Sequence, residues 1–256
     1  MAEQTPTLYE VKDGAAWITL NTPDIRNCLS EGLVLGLYDH LVQAEADDAA
    51  RCIVITGNGK AFCAGADLTG KGPKAPEGRT PVGLPTVLTK ILENKKPVIA
   101  ALNGPAIAGG LGIVCSADIA ITSDQVQFAF TEVRIGVIPA IISVVCLRKL
   151  GTHQGMRLFL TGERFDADAA VGYGIVHKSV PLEHLQDAVQ AEVDLLNMGA
   201  PNALAEAKKL VRMVSEVSIE EGFQLTQDWS ARLFLSEDGR EGMASFVEKR
   251  KPKWQT

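Results

Sequence analysis

The sequence predicts an α/β core followed by a helical C-terminal region, and three observations support this fold class. Residues 52–55, 98–102 and 119–121 are continuous apolar runs, as expected for strands of a sheet that helices cover on both faces. Apolar residues between such runs recur at about helical spacing. After about residue 150 the helical pattern dominates, and only residues 175–177 indicate at most one further short strand.

The first elements follow from local patterns. Residues 15–20 are rich in β-forming side chains and end in an Asn-Thr-Pro turn, which predicts a strand. Ser30 precedes leucines at about 3.6-residue spacing, which predicts a helix that ends near Asp47. Residues 67–85 are rich in Gly, Pro and Lys and show no period. We therefore predict a mobile surface loop there, of the kind that is usually functional.

The C-terminal half shows repeated helical spacing. It predicts helices at 148–160, 166–172, 182–196, 202–214, 219–235 and 236–250. We accordingly divide the chain into an α/β core, residues 1–195, and a helical C-terminal region, residues 196–256.

Composition excludes several classes of protein. Of 256 residues, 46% are hydrophobic and 22% are charged, and the net charge is −6. This balance argues against disorder and against binding to nucleic acid or to an anionic membrane.

The longest apolar run, residues 137–147, is predicted to be a buried segment that is too short to span a bilayer. The start of the chain shows neither the charge pattern nor the apolar run of an export signal.

The cysteine pattern points to a reduced environment. The chain has five cysteines, an odd number, and no CxxC motif. The sequence therefore predicts neither a metal site nor a disulfide framework, and it favours a cytoplasmic protein with cysteines in its core.

Two loops of small residues follow apolar strands and are the candidate chemical centre. Residues 61–67 read AFCAGAD, and residues 103–112 read NGPAIAGGLG. Small residues let a ligand approach the backbone, and a helix that begins there offers free N–H groups. The two loops together would form an oxyanion hole. The alternative is that the glycines only allow helices to pack closely on strands. Neither GxGxxG nor GxxxxGK[ST] occurs, so these nucleotide-binding motifs are absent.

Five segments resemble, in order, the crotonase superfamily of acyl-CoA enzymes. They are IVITGNGKAFCAGADL (53–68), VIAALNGPAIAGGLGIVCSADIAI (98–121), FAFTEVRIGVIPA (128–140), FLTGERFDADAAVGYGIVHKSV (159–180) and EGMASFVEKRKPKW (241–254). The resemblance covers the chain from about residue 8 to its end. It implies a crotonase-like spiral of ββα repeats with a helical C-terminal trimerisation region. It also implies self-association as a trimer or a dimer of trimers, and a CoA thioester as substrate with no separate cofactor.

The resemblance assigns roles to particular positions. The amides of Ala66 and Gly109 would hold the thioester oxygen, and Glu132 would be the acid/base. Arg26 would contact the CoA phosphates and the main chain of Ala64 the adenine. The full set of implied substrate-contacting residues is Arg26, Ala64, Asp67, Leu68, Gly110, Gly112, Thr131, Pro139, Phe246 and Lys249. Phe246 and Lys249 would reach the CoA of a neighbouring subunit.

One departure from the family pattern bears on the reaction. A hydratase of this family uses two glutamates, and the chain has Gly112 at one of those positions and Glu132 at the other. Apolar neighbours such as Phe130 and Val133 predict a raised pKa for Glu132. Asp67 and Asp118 are the acids considered as replacements for the missing one, and both are predicted to be cap or turn residues.

Three functions are compatible with this inventory. The family name it fits is enoyl-CoA hydratase. The first hypothesis is a Δ3–Δ2 double-bond shift, for which a single acid/base suffices, so the set of residues slightly favours isomerisation. Hydration by a one-glutamate site is the second hypothesis. A CoA-binding oligomer without activity is the third, and the presence of Glu132 argues against it.

Overall fold

The computed structural model describes residues 5–255, and within them two sheets form the core. Six strands make the larger sheet in the order β1-β2-β3-β4-β6-β9, and three make the smaller one in the order β5-β7-β8. The strands are β1 (Thr7–Lys12), β2 (Ala15–Leu20), β3 (Cys52–Gly57), β4 (Val98–Leu102), β5 (Ala106–Ile107), β6 (Ile119–Ser123), β7 (Phe128–Ala129), β8 (Arg164–Phe165) and β9 (Lys178–Val180).

Helices cover the sheets and make up the C-terminal region. They are α1 (Glu31–Ala46), α2 (Leu84–Glu93), α3 (Gly109–Ser116), α4 (Ala140–Thr161), α5 (Ala167–Gly172), α6 (Leu185–Asn197), α7 (Pro201–Val214), α8 (Ile219–Phe234) and α9 (Glu237–Glu248). Short 3-10 helices lie at Pro23–Ile25, Glu132–Ile135, Leu182–His184 and Lys253–Gln255. Residue 195, the end of the predicted core, lies near the end of α6, and the division into two regions stays a prediction.

The larger sheet is buried on both faces, as its unbroken apolar strands predict. β1 pairs with β2 in antiparallel orientation, and the pairs from β2 to β9 are parallel. Ile53 and Ile55 of β3 pack in the cluster that includes α1, α2 and α3, whereas Val54 packs with α6 on the other face. This alternation is the two-residue period of a strand expressed in a fully covered sheet.

The smaller sheet brings the candidate chemical residues together. β5 pairs in parallel with β7, and the amide of Ala108 donates to the carbonyl of Ala129 at 2.9 Å. Gly109 follows one residue after the end of β5, and Glu132 follows soon after β7. The carboxyl ends of parallel neighbours meet at one edge, so this pairing puts the glycine loop and the acid on the same side.

Most predicted elements are confirmed; the differences are one displaced strand and the elements that the sequence did not predict, namely β1, α2 and the short strands β5, β7 and β8. The predicted strand at 175–177 is displaced, because β9 begins at Lys178 and pairs with β6. β1 and α2 were not predicted. β1 alternates buried and exposed residues in a short, polar stretch. α2 begins beside a Gly- and Pro-rich loop, and its Pro85 is a residue that the first turn of a helix tolerates.

The prediction that residues 137–147 form a buried segment is wrong for much of its length. Val137, Ile138 and Val144 are exposed, Ile138 by 71%, whereas Ile142 and Cys146 are buried. The segment enters α4 at Ala140, and a helix directs only part of its residues to the core. The run is therefore apolar on both its buried and its exposed side.

The five cysteines are free thiols, and all except the partly buried Cys28 are buried, as the sequence predicts. No helix among the described residues combines the length and the apolar composition that crossing a bilayer requires.

A buried ion pair attaches the helical region to the core. Lys208 of α7 contacts the carboxylate of Asp118 at 2.6 Å, and Arg212 contacts it at 3.2 Å. The same carboxylate accepts a hydrogen bond from the amide of Val98, at the start of β4. Asp118 was predicted to be a cap or turn residue, and the structure adds this anchoring contact.

We expect Asp118→Asn to lower the free energy of unfolding by about 3 kcal/mol, since it leaves the Lys208 ammonium buried without its counter-charge. Urea denaturation measures the loss. The control is Glu163→Gln, whose partner Arg157 is exposed; an exposed pair contributes about 0–1 kcal/mol. Equal losses in the two variants would show that the Asp118 contact is not a buried anchor.

Candidate active site

The two glycine loops run side by side in parallel. The amides of Phe62 and Cys63 both donate to the carbonyl of Pro105 at 3.1 Å, and the amide of Ile107 donates to the carbonyl of Cys63 at 2.9 Å. Cys63 and Ala106 form a parallel bridge. Farther along, a β-carbon on Gly65 would lie 3.6 Å from the amide nitrogen of Gly109, so Ala66 is the residue that follows this close approach.

The approach of the two backbones at this point requires small residues. Gly65 has a φ of +89°, and a β-carbon on it would lie 3.0 Å from the β-carbon of Ala108. A β-carbon on Gly109 would lie 3.9 Å from the Cα of Gly65. Any larger residue at Gly65 would therefore combine an unfavourable backbone conformation with a steric contact.

The start of α3 directs an amide into this junction. Ala108, the residue before the helix, has φ 50° and ψ −118°, a conformation that costs about 1–3 kcal/mol in a residue other than glycine. Gly109 is the first residue of α3, and its N–H has no partner within the helix. Because of this strained conformation at Ala108, the chain changes direction and α3 begins with Gly109 at the junction of the two glycine loops.

The amide of Ala66 is free of the hydrogen bonds that hold its loop. In the bridge between Leu29 and Ala66 the donor is the amide of Leu29 and the acceptor is the carbonyl of Gly65, at 2.8 Å. Within residues 5–255, no hydrogen bond from the Ala66 amide is present. Two adjacent loops therefore each offer an uncommitted N–H, the arrangement that stabilises a developing oxyanion.

Glu132 is a half-buried acid with an unpartnered oxygen. Its Oε2 is buried and, among the described residues, accepts no hydrogen bond. Burial raises the pKa of the Glu132 carboxyl above its ordinary value, as the sequence predicts. The charge of Glu132 contributes to raising the pKa of the buried Cys146 thiol in α4, so the acid lies close to the first turns of that helix. A carboxyl with a raised pKa can exchange protons nearer to neutral pH.

A side chain at residue 112 has no room. Gly112 is buried in α3, and a β-carbon on it would lie 2.5 Å from Cγ2 of Ile142 and 3.4 Å from Cδ1 of Leu88. Residue 112, a glycine, thus supplies no carboxylate, and the space beside it is filled by apolar side chains.

Comparison with known proteins identifies the family. The family model described as enoyl-CoA hydratase/isomerase matches residues 10–256. The chain belongs to the enoyl-CoA hydratase/isomerase family.

Relatives and solved structures agree with this assignment. The chain is 35% identical over 236 residues to a protein of Pongo abelii named enoyl-CoA hydratase, mitochondrial, and the match covers 91% of this chain and 81% of that protein. It is 36% identical over 215 residues to carnitinyl-CoA dehydratase of Proteus mirabilis, covering 81% and 82% of the two chains. The crystal structure of an enoyl-CoA hydratase/isomerase from Marinobacter aquaeolei matches with a TM-score of 0.89 and 32% identity, over 98% of this chain and 99% of that one. The fold is thus the crotonase fold with a helical C-terminal region.

Membership of the enoyl-CoA hydratase/isomerase family supports an enzyme with enoyl-CoA hydratase activity that acts on an acyl-CoA thioester.

The family pattern directs attention to Arg26 and Ala64, and the structure brings them together. The amide of Ala64 donates to the carbonyl of Arg26 at 3.1 Å. Asn27, fully buried, accepts from the amide of Thr22 and donates to the carbonyl of Ala61. The backbone of the exposed residue Arg26 is thus held next to the first glycine loop, and a contact of its guanidinium with a phosphate stays a prediction.

The carboxylate of Asp67 is committed to its own loop. Its oxygens accept from the amide of Gly72 at 2.7 Å and from the amide of Thr69 at 3.1 Å. These hydrogen bonds lower the pKa of Asp67. Asp67 is therefore a turn residue, as predicted, and it stabilises the loop that follows Ala66. Leu68 beside it is largely exposed.

The remaining family positions have different surroundings. Gly110 packs against the first loop, since a β-carbon there would lie 2.5 Å from the carbonyl oxygen of Cys63. Thr131 precedes the short helix that begins at Glu132, and Pro139 precedes α4. Phe246 and Lys249 lie at the end of α9, outside the two loops, and Phe246 is 86% exposed. The substrate contacts of all these residues stay predictions.

Sequence reasoning missed the apolar side chains that face the glycines. Leu29 and Leu84 lie against the Gly109 position, and Leu88 and Ile142 against the Gly112 position. The spacing of Leu84, Leu88 and their neighbours in α2 is helical and could have revealed that helix. Nothing in the local sequence shows that Ile142 packs on Gly112, because the contact joins two different helices. Among residues 5–255, no three His, Cys, Asp or Glu side chains gather as a metal site would require.

We expect Ala66→Pro, which removes the amide N–H, to lower kcat by about 10²–10³ if that amide stabilises an oxyanion. Steady-state kinetics on an enoyl-CoA measures the effect. Ala66→Gly keeps the N–H and is the matched control, with near-normal turnover. Normal turnover in the proline variant, with an unchanged circular dichroism spectrum, would remove Ala66 from the site.

The raised pKa of Glu132 has a consequence for stability. The folded state disfavours the ionised carboxylate, so the wild-type protein loses stability as pH rises through the folded-state pKa. We therefore expect Glu132→Gln to have the higher Tm at pH 8, and the difference to shrink as pH falls below 4.5, the ordinary value. Thermal unfolding from pH 4 to 8 measures this, with the exposed Glu183→Gln as control. A lower Tm for Glu132→Gln at pH 8 would contradict the assignment.

Proposed function

We propose that the protein catalyses the reversible hydration of an α,β-unsaturated acyl-CoA thioester with Glu132 as its only acid/base. The observation that carries this proposal is the half-buried carboxylate of Glu132, with its unpartnered Oε2, at the same edge of the smaller sheet as the loop of Gly109. Relatives named for hydration and dehydration of CoA thioesters support the same reaction.

A single carboxylate can complete the reaction. The Glu132 carboxylate takes a proton from water while the water oxygen bonds to C3 and the π electrons move to the thioester oxygen. The amides of Ala66 and Gly109 hold the resulting enolate oxygen. The enolate then returns its electrons to form a C2–H bond with the proton that Glu132 carries. One water is added across the double bond, and Glu132 ends ionised as it began.

Further parts of the proposal concern binding and assembly. Arg26 binds CoA phosphates and the main chain of Ala64 binds the adenine, and no cofactor besides the CoA thioester takes part. The exposed apolar residues of α8 and α9, such as Phe223 and Phe246, support self-association as a trimer or a dimer of trimers. In that assembly Phe246 and Lys249 reach a neighbouring subunit's CoA. We also propose a cytoplasmic location.

Double-bond isomerisation is the second candidate, and the filled space beside Gly112 favours it. Here Glu132 removes a proton from C2 of a 3-enoyl-CoA, the amides hold the dienolate oxygen, and the proton returns at C4. No water is consumed, so no second group is needed to orient one.

One set of assays distinguishes the candidates. We expect the wild-type protein to remove the conjugated-thioester absorbance of crotonyl-CoA; a gain of that absorbance from a 3-enoyl-CoA with no effect on crotonyl-CoA would establish isomerisation instead. We expect Glu132→Gln to lower kcat by about 10²–10⁴ and to leave CoA affinity nearly unchanged by calorimetry. The exposed Glu183→Gln serves as control. Equal kcat in wild type and Glu132→Gln would end the acid/base assignment.

A further inference from the structure

The contact between α3 and α4 leaves no space at residue 112, and the obstacle is a stiff side chain. A β-carbon on Gly112 would lie 2.5 Å from Cγ2 of Ile142 and 3.3 Å from its Cβ. Real β-carbon contacts are essentially never as short as the first of these distances. A β-branched side chain in a helix is nearly confined to one rotamer, so Ile142 cannot swing aside.

The surrounding helices cannot move apart without loss. Every residue of α3 is buried, and Ile142 is only 3% exposed. The thiol of Cys146, one turn after Ile142, donates to the carbonyl of Leu111 in α3 at 3.8 Å. Close-packed interiors of this kind respond to an added side chain by strain rather than by expansion.

The same contact lies beside the acid. A short connection separates Glu132 from α4. After burial and the neighbouring Cys115, the charge of Glu132 also contributes to the raised pKa of the Cys146 thiol in α4. Ile142 and Leu88, both buried aliphatic residues, therefore form the wall towards which residue 112 would point. This wall offers neither a proton donor nor an acceptor.

We propose that Ile142 is the specificity-determining residue that keeps this a one-carboxylate site. It occupies the space that a second acid at residue 112 would need, so proton transfer passes through Glu132 alone. The role in catalysis rests on the proposed function of Glu132, whereas the steric role does not. Adding an acid to this site requires two substitutions, one at residue 112 and one at residue 142.

A stability cycle tests the steric part. We expect Gly112→Glu to lower Tm by about 5 °C or more, and Ile142→Ala added to it to recover at least half of that loss. Val145→Ala opens space at another buried position of α4 and is the matched control, with no recovery. If Gly112→Glu does not fold, Gly112→Ala gives the same cycle. A wild-type Tm for the residue 112 variants, or equal recovery by Val145→Ala, would overturn the proposal.

A kinetic comparison tests the catalytic part. We expect Gly112→Glu/Ile142→Ala to hydrate crotonyl-CoA with a kcat/KM at least about tenfold above that of Ile142→Ala, and to show a second ionisation in its pH–rate profile. Recovery of Tm without either change would overturn the role in specificity. Failure of the proposed function is separate, because it is measured as an inactive wild type or an unimpaired Glu132→Gln, and the stability cycle is independent of both.

Discussion

The parallel hydrogen bonding between residues 61–66 and the stretch that leads into α3 is the constraint on which the site depends. It sets the register that brings Gly65, the residue before Ala66, against Gly109, and the amides of Ala66 and Gly109 stay outside the loop's own bonding. The register tolerates little change, since Gly65 has a positive φ and its neighbour Ala108 is itself strained. The strain at Ala108 is balanced by the packing of α3, which is buried along its whole length. The arrangement of the two amides is therefore a property of the core rather than of a flexible loop.

The position of Glu132 also depends on the core, through the smaller sheet. β7 pairs with β5, so the chain that leaves β7 delivers Glu132 to the edge where α3 begins. The carboxylate arrives there half-buried and with one oxygen unpartnered. This arrangement disfavours the ionised form, which lowers stability at neutral pH and gives the carboxyl a pKa suited to proton transfer. The two effects have one physical cause, the loss of water around Glu132.

The packing of α4 on α3 then limits which side chains can join Glu132 in the site. Ile142 fills the space beside Gly112 and so leaves no room there for a second carboxylate. Farther away, the ion pair of Asp118 with Lys208 holds the helical region against the strands that form the core. The exposed aliphatic residues of the stretch after Glu132, such as Ile138, stand beside the site rather than inside the fold.

The sequence by itself determined the buried strands at 52–55, 98–102 and 119–121, most helices, the two glycine loops and the raised pKa of Glu132. Each of these follows from residues that are close in the chain, because periodicity and neighbouring side chains report local structure. Only the tertiary structure decided the adjacency of Gly65 and Gly109, the exposure of Ile138 and the packing of Ile142 on Gly112. These depend on which segments meet across the fold, and a local pattern shows that a residue has an apolar face without showing what that face contacts.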